Sequence, residues 1–203
     1  MRELLLVRHG LAGSNRDDVA SSAVPGEGLT PEGVEQARAL SLVLADEAID
    51  VALTSRLART QETLALVLDR REIPVIVEAE LDEIRFGSFD GGPLDEYRAW
   101  AASHPPDEPA PGGGESRAQA AARFARGLRL LLARPEEQVL AVGHALAIRY
   151  VIDAVEGRHP AARMAPIEHA FPYRLGRDDA ERAAALLEDW STVPRFRDPD
   201  DHG

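Results

Sequence analysis

Glu3-Leu4-Leu5-Leu6-Val7-Arg8-His9-Gly10 joins an unbroken apolar run to an arginine, a histidine and a glycine. Four consecutive apolar residues suit a parallel strand buried on both faces, so Arg8 and His9 emerge at that strand's carboxyl end. In open α/β sheets that edge is where ligands bind. A neutral imidazole there can attack an electrophile, while an adjacent guanidinium, planar and always charged, holds an anionic group against it. On this stretch alone, a phosphate site with its own nucleophile and an ordinary loop histidine weigh about equally.

The rest of the chain moves the balance. Gln138-Val139-Leu140-Ala141-Val142-Gly143-His144 repeats the opening pattern and releases a second histidine at a strand end. Residues 49–54 read as another short strand, running into Ser55-Arg56-Leu57-Ala58-Arg59-Thr60, and residues 74–77 as a third. Thr30-Pro31-Glu32 starts a helix with an N-cap hydroxyl, a proline at the first helical position and an acid in the first turn. Its apolar residues recur at Val34, Ala37, Leu40, Leu44 and Ala48. Further helical patterns open after Ser55 and over 117–134, 146–155 and 178–190. Strands alternating with helices predict an α/β fold, a mainly parallel central sheet flanked by helices on both faces. Residues 170–175 read as an edge strand that tolerates Pro172.

From Ser88 to Ser116 the composition turns to Pro, Gly, Asp and Glu, with Tyr97 and Trp100 as anchors. This stretch reads as a lid insertion over about residues 86–115, with a short helix at 94–102. Residues 195–203 read as a frayed acidic tail. With 203 residues, 44% of them hydrophobic, one domain spanning residues 1–203 is the simplest organisation.

Composition excludes several function classes. The absence of cysteine rules out disulfides, thiolate zinc sites and cysteine nucleophiles. A net charge of −12 argues against nucleic acid and anionic membranes as partners. Every basic residue is Arg, so there is no Schiff-base or P-loop lysine, and any anion is held by guanidinium forks. The chain enters a strand at once and no apolar run reaches membrane-spanning length, so a cytoplasmic protein is expected. No histidine pair has metal-ligand spacing, and neither a metal nor a cofactor is expected. Oligomeric state is not legible; a homodimer is left open.

Parallel topology gathers Arg8, His9, Arg59 and His144 at one edge of the sheet. Phosphoryl transfer asks for such a set, because catalysis there is mostly positioning and electrostatic stabilisation. An anion at the amino end of the helix after Ser55 is also expected to meet free backbone N–H groups. Leu6-Val7-Arg8-His9-Gly10, Ser55-Arg56-Leu57-Ala58-Arg59-Thr60, Leu81-Asp82-Glu83, Gly114-Glu115-Ser116 and Val142-Gly143-His144 occur in this order. In these motifs the chain resembles the histidine phosphatase superfamily, which includes the cofactor-dependent phosphoglycerate mutases.

The resemblance implies a phosphoglycerate mutase-like fold and assigns roles residue by residue. His9 is the nucleophile; Arg8, Arg59 and His144 hold the phosphoryl oxygens; Asn15 contacts phosphate; Glu83 protonates the leaving oxygen and then activates water. Leu11 and Ala12 depart from the family pattern, in which a polar residue and a hydroxyl follow the glycine. Arg56 replaces a usual proline and is expected to add positive charge at the pocket mouth, and Ser14 replaces an aromatic residue. Whether Asp82 or Glu83 faces inward is open. Glu115 reads as a cap or orienting group at a helix start, and Arg149 as a helix-face charge. His104, His159, His169 and His202 read as ordinary loop or surface residues.

Ser88 to Ser116 holds one arginine, Arg98, against Asp90, Asp95, Glu96, Asp107, Glu108 and Glu115. Such a lid disfavours a doubly anionic intermediate and points to a neutral or cationic alcohol portion, with Phe86, Tyr97 and Trp100 as candidate stacking surfaces. The expected activity is therefore a phosphomonoester hydrolase of the histidine acid phosphatase type, acting through phosphohistidine on a small phosphorylated metabolite. Cofactor-dependent phosphoglycerate mutase is the alternative. A non-catalytic phosphate-binding regulatory module, motivated by Ala12, ranks below both.

Overall fold

The computed structural model describes residues 1–197. In chain order the first elements are β1 (Glu3–Arg8), α1 (Gly13–Arg16), α2 (Pro31–Val43), β2 (Val51–Thr54), α3 (Ala58–Leu68) and β3 (Val75–Val77). There follow α4 (Leu94–Ser103), α5 (Arg117–Leu132), β4 (Gln138–Gly143), α6 (Ala145–Val155), β5 (Pro172–Gly176) and α7 (Arg177–Thr192). The sheet order is β3-β2-β4-β1-β5. The first four strands are parallel; β5 runs antiparallel along the outer edge of β1. This is the α/β, mainly parallel architecture expected from the sequence, and Pro172 sits at the start of the edge strand.

Why the apolar runs are unbroken follows from the two cores. Side chains alternate across a strand, so a strand covered on both faces needs apolar residues at every position. Leu4 and Leu6 of β1, with Val139 and Ala141 of β4, face the core that contains residues of α5, α6 and α7. Leu5 and Val7, with Leu140 and Val142, face the core built with Leu40 of α2 and Leu64, Val67 and Leu68 of α3. The Thr30 hydroxyl accepts from Gly33 N at 3.1 Å and Pro31 opens α2, as the sequence predicts. At the start of α5 the cap is Ser116, paired reciprocally with Gln119, and not Glu115.

The insertion is tied down rather than loose. Ala20 N donates to Gly92 O at 2.9 Å, Leu94 N to Asp18 O at 2.7 Å and Ser88 N to Pro111 O at 2.7 Å. Gly87 has φ 61°, and a Cβ there would lie 2.1 Å from Pro111 O, so only glycine lets the two arms of the insertion close. The loop expected after β1 contains the short helix α1. The frayed tail is corrected for residues 195–197: Trp190 Nε1 donates to Arg195 O at 2.7 Å and Arg197 N to Pro160 O at 3.1 Å. Residues 198–203 of that expectation lie outside the described residues. Among the described residues, no helix is long and apolar enough to cross a membrane.

Gly10 follows β1 directly, and a Cβ there would stand 2.5 Å from the backbone oxygen of Gly33 in α2. The Gly10→Ala variant is therefore expected to lose about 1–3 kcal/mol in chemical denaturation, the usual cost of overpacking. Gly143→Ala, whose added methyl would meet only Leu81 O at 3.9 Å, is expected to stay near the parent stability.

Candidate active site

β1 and β4 pair in register from Glu3 opposite Gln138 to Arg8 opposite Gly143. The next residue of each strand is therefore a histidine at the same sheet edge. His9 N donates to Gly143 O at 3.1 Å, and the His9 and His144 ring centroids lie 5.3 Å apart. Both rings are shut away from solvent, at 2% and 0% exposure.

Hydrogen-bond partners fix the tautomers. His9 Nδ1 lies 2.7 Å from Gly10 O, which can only accept, so Nδ1 carries the proton and Nε2 the lone pair. Arg59, from the first turn of α3, donates its Nε to that lone pair at 3.2 Å. Its Nη2 donates to Ser21 O at 2.9 Å and to His144 Nδ1 at 3.3 Å. His144 Nε2 then donates to Ser55 Oγ at 2.9 Å, and Ser55 Oγ is 2.8 Å from Thr60 Oγ1. Burial lowers both histidines well below the usual imidazole range, and the Arg59 charge adds to it. Two neutral imidazoles thus flank one buried guanidinium. Arg59 Nη1 and Arg8 Nε are buried with no partner among the described residues, while Arg8 Nη1 donates to Ile167 O at 2.6 Å. Burial brings Arg8 down to about 10, so it stays charged.

The open choice between Asp82 and Glu83 resolves geometrically. Asp82 accepts from Arg56 N at 2.9 Å and pairs with the Arg56 guanidinium at 2.6 Å. Arg56 is thereby neutralised instead of adding charge to the pocket mouth. Glu83 turns to the site, its Oε2 3.8 Å from His144 Nδ1 and its Oε1 accepting from Ile84 N at 3.0 Å. Burial raises Glu83 above the usual carboxylate range, against the pull of Arg59.

Glu115 has a larger part than a helix cap. It accepts from Arg123 Nε and Nη2, both at 2.8 Å, and from Arg85 N at 3.0 Å. The same Arg123 guanidinium donates to the carbonyls of Glu80, Asp82 and Glu83 at 3.1, 2.8 and 3.1 Å. A buried bidentate ion pair therefore holds the backbone that presents Glu83.

Above these groups lies a cavity of about 240 Å³, lined by Arg8, Asn15 and Glu83 among others. His9, Arg59 and His144 are not among its lining residues. Asn15 Oδ1 accepts from Ala12 N at 3.3 Å. His169, read from sequence as an ordinary loop residue, is corrected: it lines the cavity, its ring is 5.5 Å from that of His9, and its Nδ1 is 2.8 Å from His9 O. Burial lowers His169 to about 4. The signal for it was the antiparallel edge strand, which starts beside the end of β1.

The expected helix terminus also changes. Ala58 N at the start of α3 donates to Pro25 O at 2.7 Å, whereas Ala145 and Leu146 of α6 line the cavity. Phe86 and Tyr97 line it too; Trp100 stacks on His104 instead. Arg149 keeps its expected place on a helix face, donating to Pro166 O at 2.9 Å. Among the described residues, no cluster of three metal-ligating side chains occurs.

The sequence pattern of the histidine phosphatase superfamily (branch 1) matches residues 4–190. The chain belongs to the histidine phosphatase superfamily. A superfamily relative, the adenosylcobalamin/α-ribazole phosphatase of Escherichia coli, is 40% identical over 43% of this chain, a match spanning 42% of that protein. The 2,3-bisphosphoglycerate-dependent phosphoglycerate mutase of Methylobacterium radiotolerans is 33% identical over 92% of this chain and 96% of its own length. Among solved structures, the α-ribazole phosphatase of Shigella flexneri superposes with a TM-score of 0.72 at 28% identity, covering 85% of this chain and 89% of that one. Relatives of this superfamily thus include both phosphatases and mutases.

Arg123→Met removes the buried partner of the Glu115 carboxylate and leaves it only the exposed Arg85 guanidinium at 3.3 Å as a charged partner. Chemical denaturation of this variant is expected to show a loss of about 3–5 kcal/mol, as for other broken buried ion pairs. In ligand-free protein, NMR of the imidazole nitrogens is expected to find His9 and His144 still neutral at the pH where an ordinary imidazole is half protonated.

Proposed function

We propose that the protein hydrolyses phosphomonoesters of small metabolites through a phosphohistidine formed on His9. The observation that carries this reading is the buried His9 Nε2 lone pair, which accepts from Arg59 Nε, in a site where Arg59 Nη1 and Arg8 Nε have no partner among the described residues. In the unliganded protein the Arg59 Nε–H occupies that lone pair. A phosphoryl group offers better acceptors, so Arg59 and Arg8 turn to its oxygens and free the nitrogen.

His9 Nε2 then attacks phosphorus. The ester P–O bond breaks, and the alcohol oxygen takes a proton from Glu83, whose pKa burial raises. The resulting Glu83 carboxylate takes a proton from water, whose oxygen attacks phosphorus. The N–P bond breaks, its electron pair returns to Nε2, and inorganic phosphate leaves. Asn15 supports the phosphate from the cavity wall. His144 holds a phosphoryl oxygen through Nδ1–H, a tautomer that the Ser55 and Thr60 hydroxyls permit because Ser55 Oγ can donate to Nε2 as readily as accept from it.

The requirement for a protonated Glu83 makes this an acid-type phosphatase. Activity on alkyl phosphates falls as pH rises through the raised pKa of Glu83, and is retained on the acid side because His9 stays neutral there. For Glu83→Gln, loss of the proton donor is expected to lower kcat on an alkyl phosphate by about 10²–10⁴-fold. With p-nitrophenyl phosphate, whose leaving group needs no proton, the same variant is expected to give a burst of nitrophenolate followed by slow turnover. Equal losses on both substrates, with no burst, would contradict the assignment.

The full-length match to a mutase supports a second reading, transfer of the phosphoryl group back to a bound phosphoglycerate. The two separate in an assay of 3-phosphoglycerate with catalytic 2,3-bisphosphoglycerate. Phosphate release faster than isomerisation supports hydrolysis; the reverse ranking makes the protein a mutase.

A further inference from the structure

The backbone that carries the His9 ring is gripped from two sides. His9 Nδ1 bonds to Gly10 O at 2.7 Å, so the direction of that carbonyl sets the direction of the ring. Glycine is the least constrained residue, and nothing in its own covalent structure holds the carbonyl there. Neighbouring side chains do. His169 Nδ1, facing an oxygen that can only accept, donates to His9 O at 2.8 Å. At the other pole of the same planar peptide unit, Gly10 N donates to Thr63 Oγ1 at 2.9 Å. On the next unit, Leu11 N donates to Gln36 Oε1 at 2.8 Å, opposite the Gly10 oxygen that receives the ring.

Both grips are built into the fold. Thr63, fully buried in α3, gives its hydroxyl proton to Arg59 O one turn back at 2.7 Å, which leaves only lone pairs to face Gly10 N. The loop after β1 is thereby tied to the backbone of Arg59. His169 is delivered by a turn whose next residue, Ala170, stands at φ 49°, a left-handed conformation disfavoured for a residue with a Cβ. Ala170 N donates to Arg8 O at 2.9 Å, so this turn engages the consecutive carbonyls of Arg8 and His9. Backbone strain of this kind persists where the surroundings enforce it, and it concentrates at functional sites.

The grip matters most at the chemical step. In the unliganded protein two partners fix the His9 ring, Gly10 O at Nδ1 and Arg59 Nε at Nε2. Once Arg59 turns to a phosphoryl group, the Gly10 carbonyl is the one that remains. We propose that His169 and Thr63 are positioning residues that clamp the His9–Gly10 peptide and so hold the His9 ring in its attacking orientation when Arg59 has turned away. Both act through the backbone, not on the phosphoryl group. The proposal rests on the phosphohistidine reading above.

Single-turnover kinetics with p-nitrophenyl phosphate tests the clamp, because nitrophenolate release reports attack by His9 without a proton donor. Thr63→Val replaces the hydroxyl by a methyl. His169→Leu and His169→Asn differ from one another in the amide, whose N–H takes the place of Nδ1–H. The Val and Leu variants are expected to slow the burst by about 10- to 100-fold, the scale of a misplacement near 1 Å. Inorganic phosphate, followed by calorimetry, is expected to bind to them as to the parent. Thr63→Ser and His169→Asn, which keep the acceptor and the donor, are expected to recover most of the rate. His169 is half-buried, so its pair of variants decides the matter even where a change at buried Thr63 costs the fold. A parent-like burst rate in the Val or the Leu variant, or equal losses in the Ser and Asn variants, would overturn the clamp and leave the phosphohistidine standing. So would a loss of burst rate matched by an equal loss of phosphate affinity. A parent protein that gives no burst overturns both.

Discussion

The in-register pairing of β1 with β4 is the constraint on which the site depends. Residue by residue it sets Arg8 opposite Gly143, so the chain leaves the sheet as His9 on one strand and His144 on its neighbour. β2, on the other side of β4, delivers Ser55 and, one helical turn later, Arg59. A one-residue slip would reverse the faces of every side chain in the strand, exchanging the contents of the two cores. The hydrophobic packing that stabilises the sheet therefore also fixes the separation of the two imidazoles.

The electrostatics follow from that geometry. A guanidinium between two imidazoles, shut away from solvent, disfavours protonation of either ring, and its own Nη1 has no partner among the described residues. Burial acts in opposite directions on the two kinds of group present: it lowers the affinity of the histidines for a proton and raises that of Glu83. The proposed division of labour between His9 as nucleophile and Glu83 as proton donor follows from these opposite effects of burial. The Glu115–Arg123 pair maintains it by tying the Glu80, Asp82 and Glu83 carbonyls to the start of α5.

What could be read from sequence was what depends on local pattern. β1 and β4 were legible because burial on both faces leaves an unbroken apolar run, and strand ends in a parallel sheet share an edge, which gathered Arg8, His9, Arg59 and His144. Groups placed by long-range pairing were not legible. His169 reaches the site only because β5 sets Pro172 beside Val7. Glu115 and Arg117 are only two residues apart in sequence, yet one is bound to Arg123 and the other lines the cavity, a difference set by their neighbours in space. The acidic count of residues 88–116 says nothing of which face each charge occupies: Asp95, Glu96, Asp107 and Glu108 are exposed, whereas Glu115 is buried against Arg123. The tail expectation failed at residues 195–197, where Phe196 packs against the core.

The most direct measurement of the central claim is the chemical identity of the phosphorylated residue. Protein mixed with a phosphomonoester, quenched in alkali and digested should yield one phosphate on the peptide containing His9, stable in base and lost in mild acid. Full turnover by the His9→Ala protein, or phosphate found on any other side chain, would contradict it.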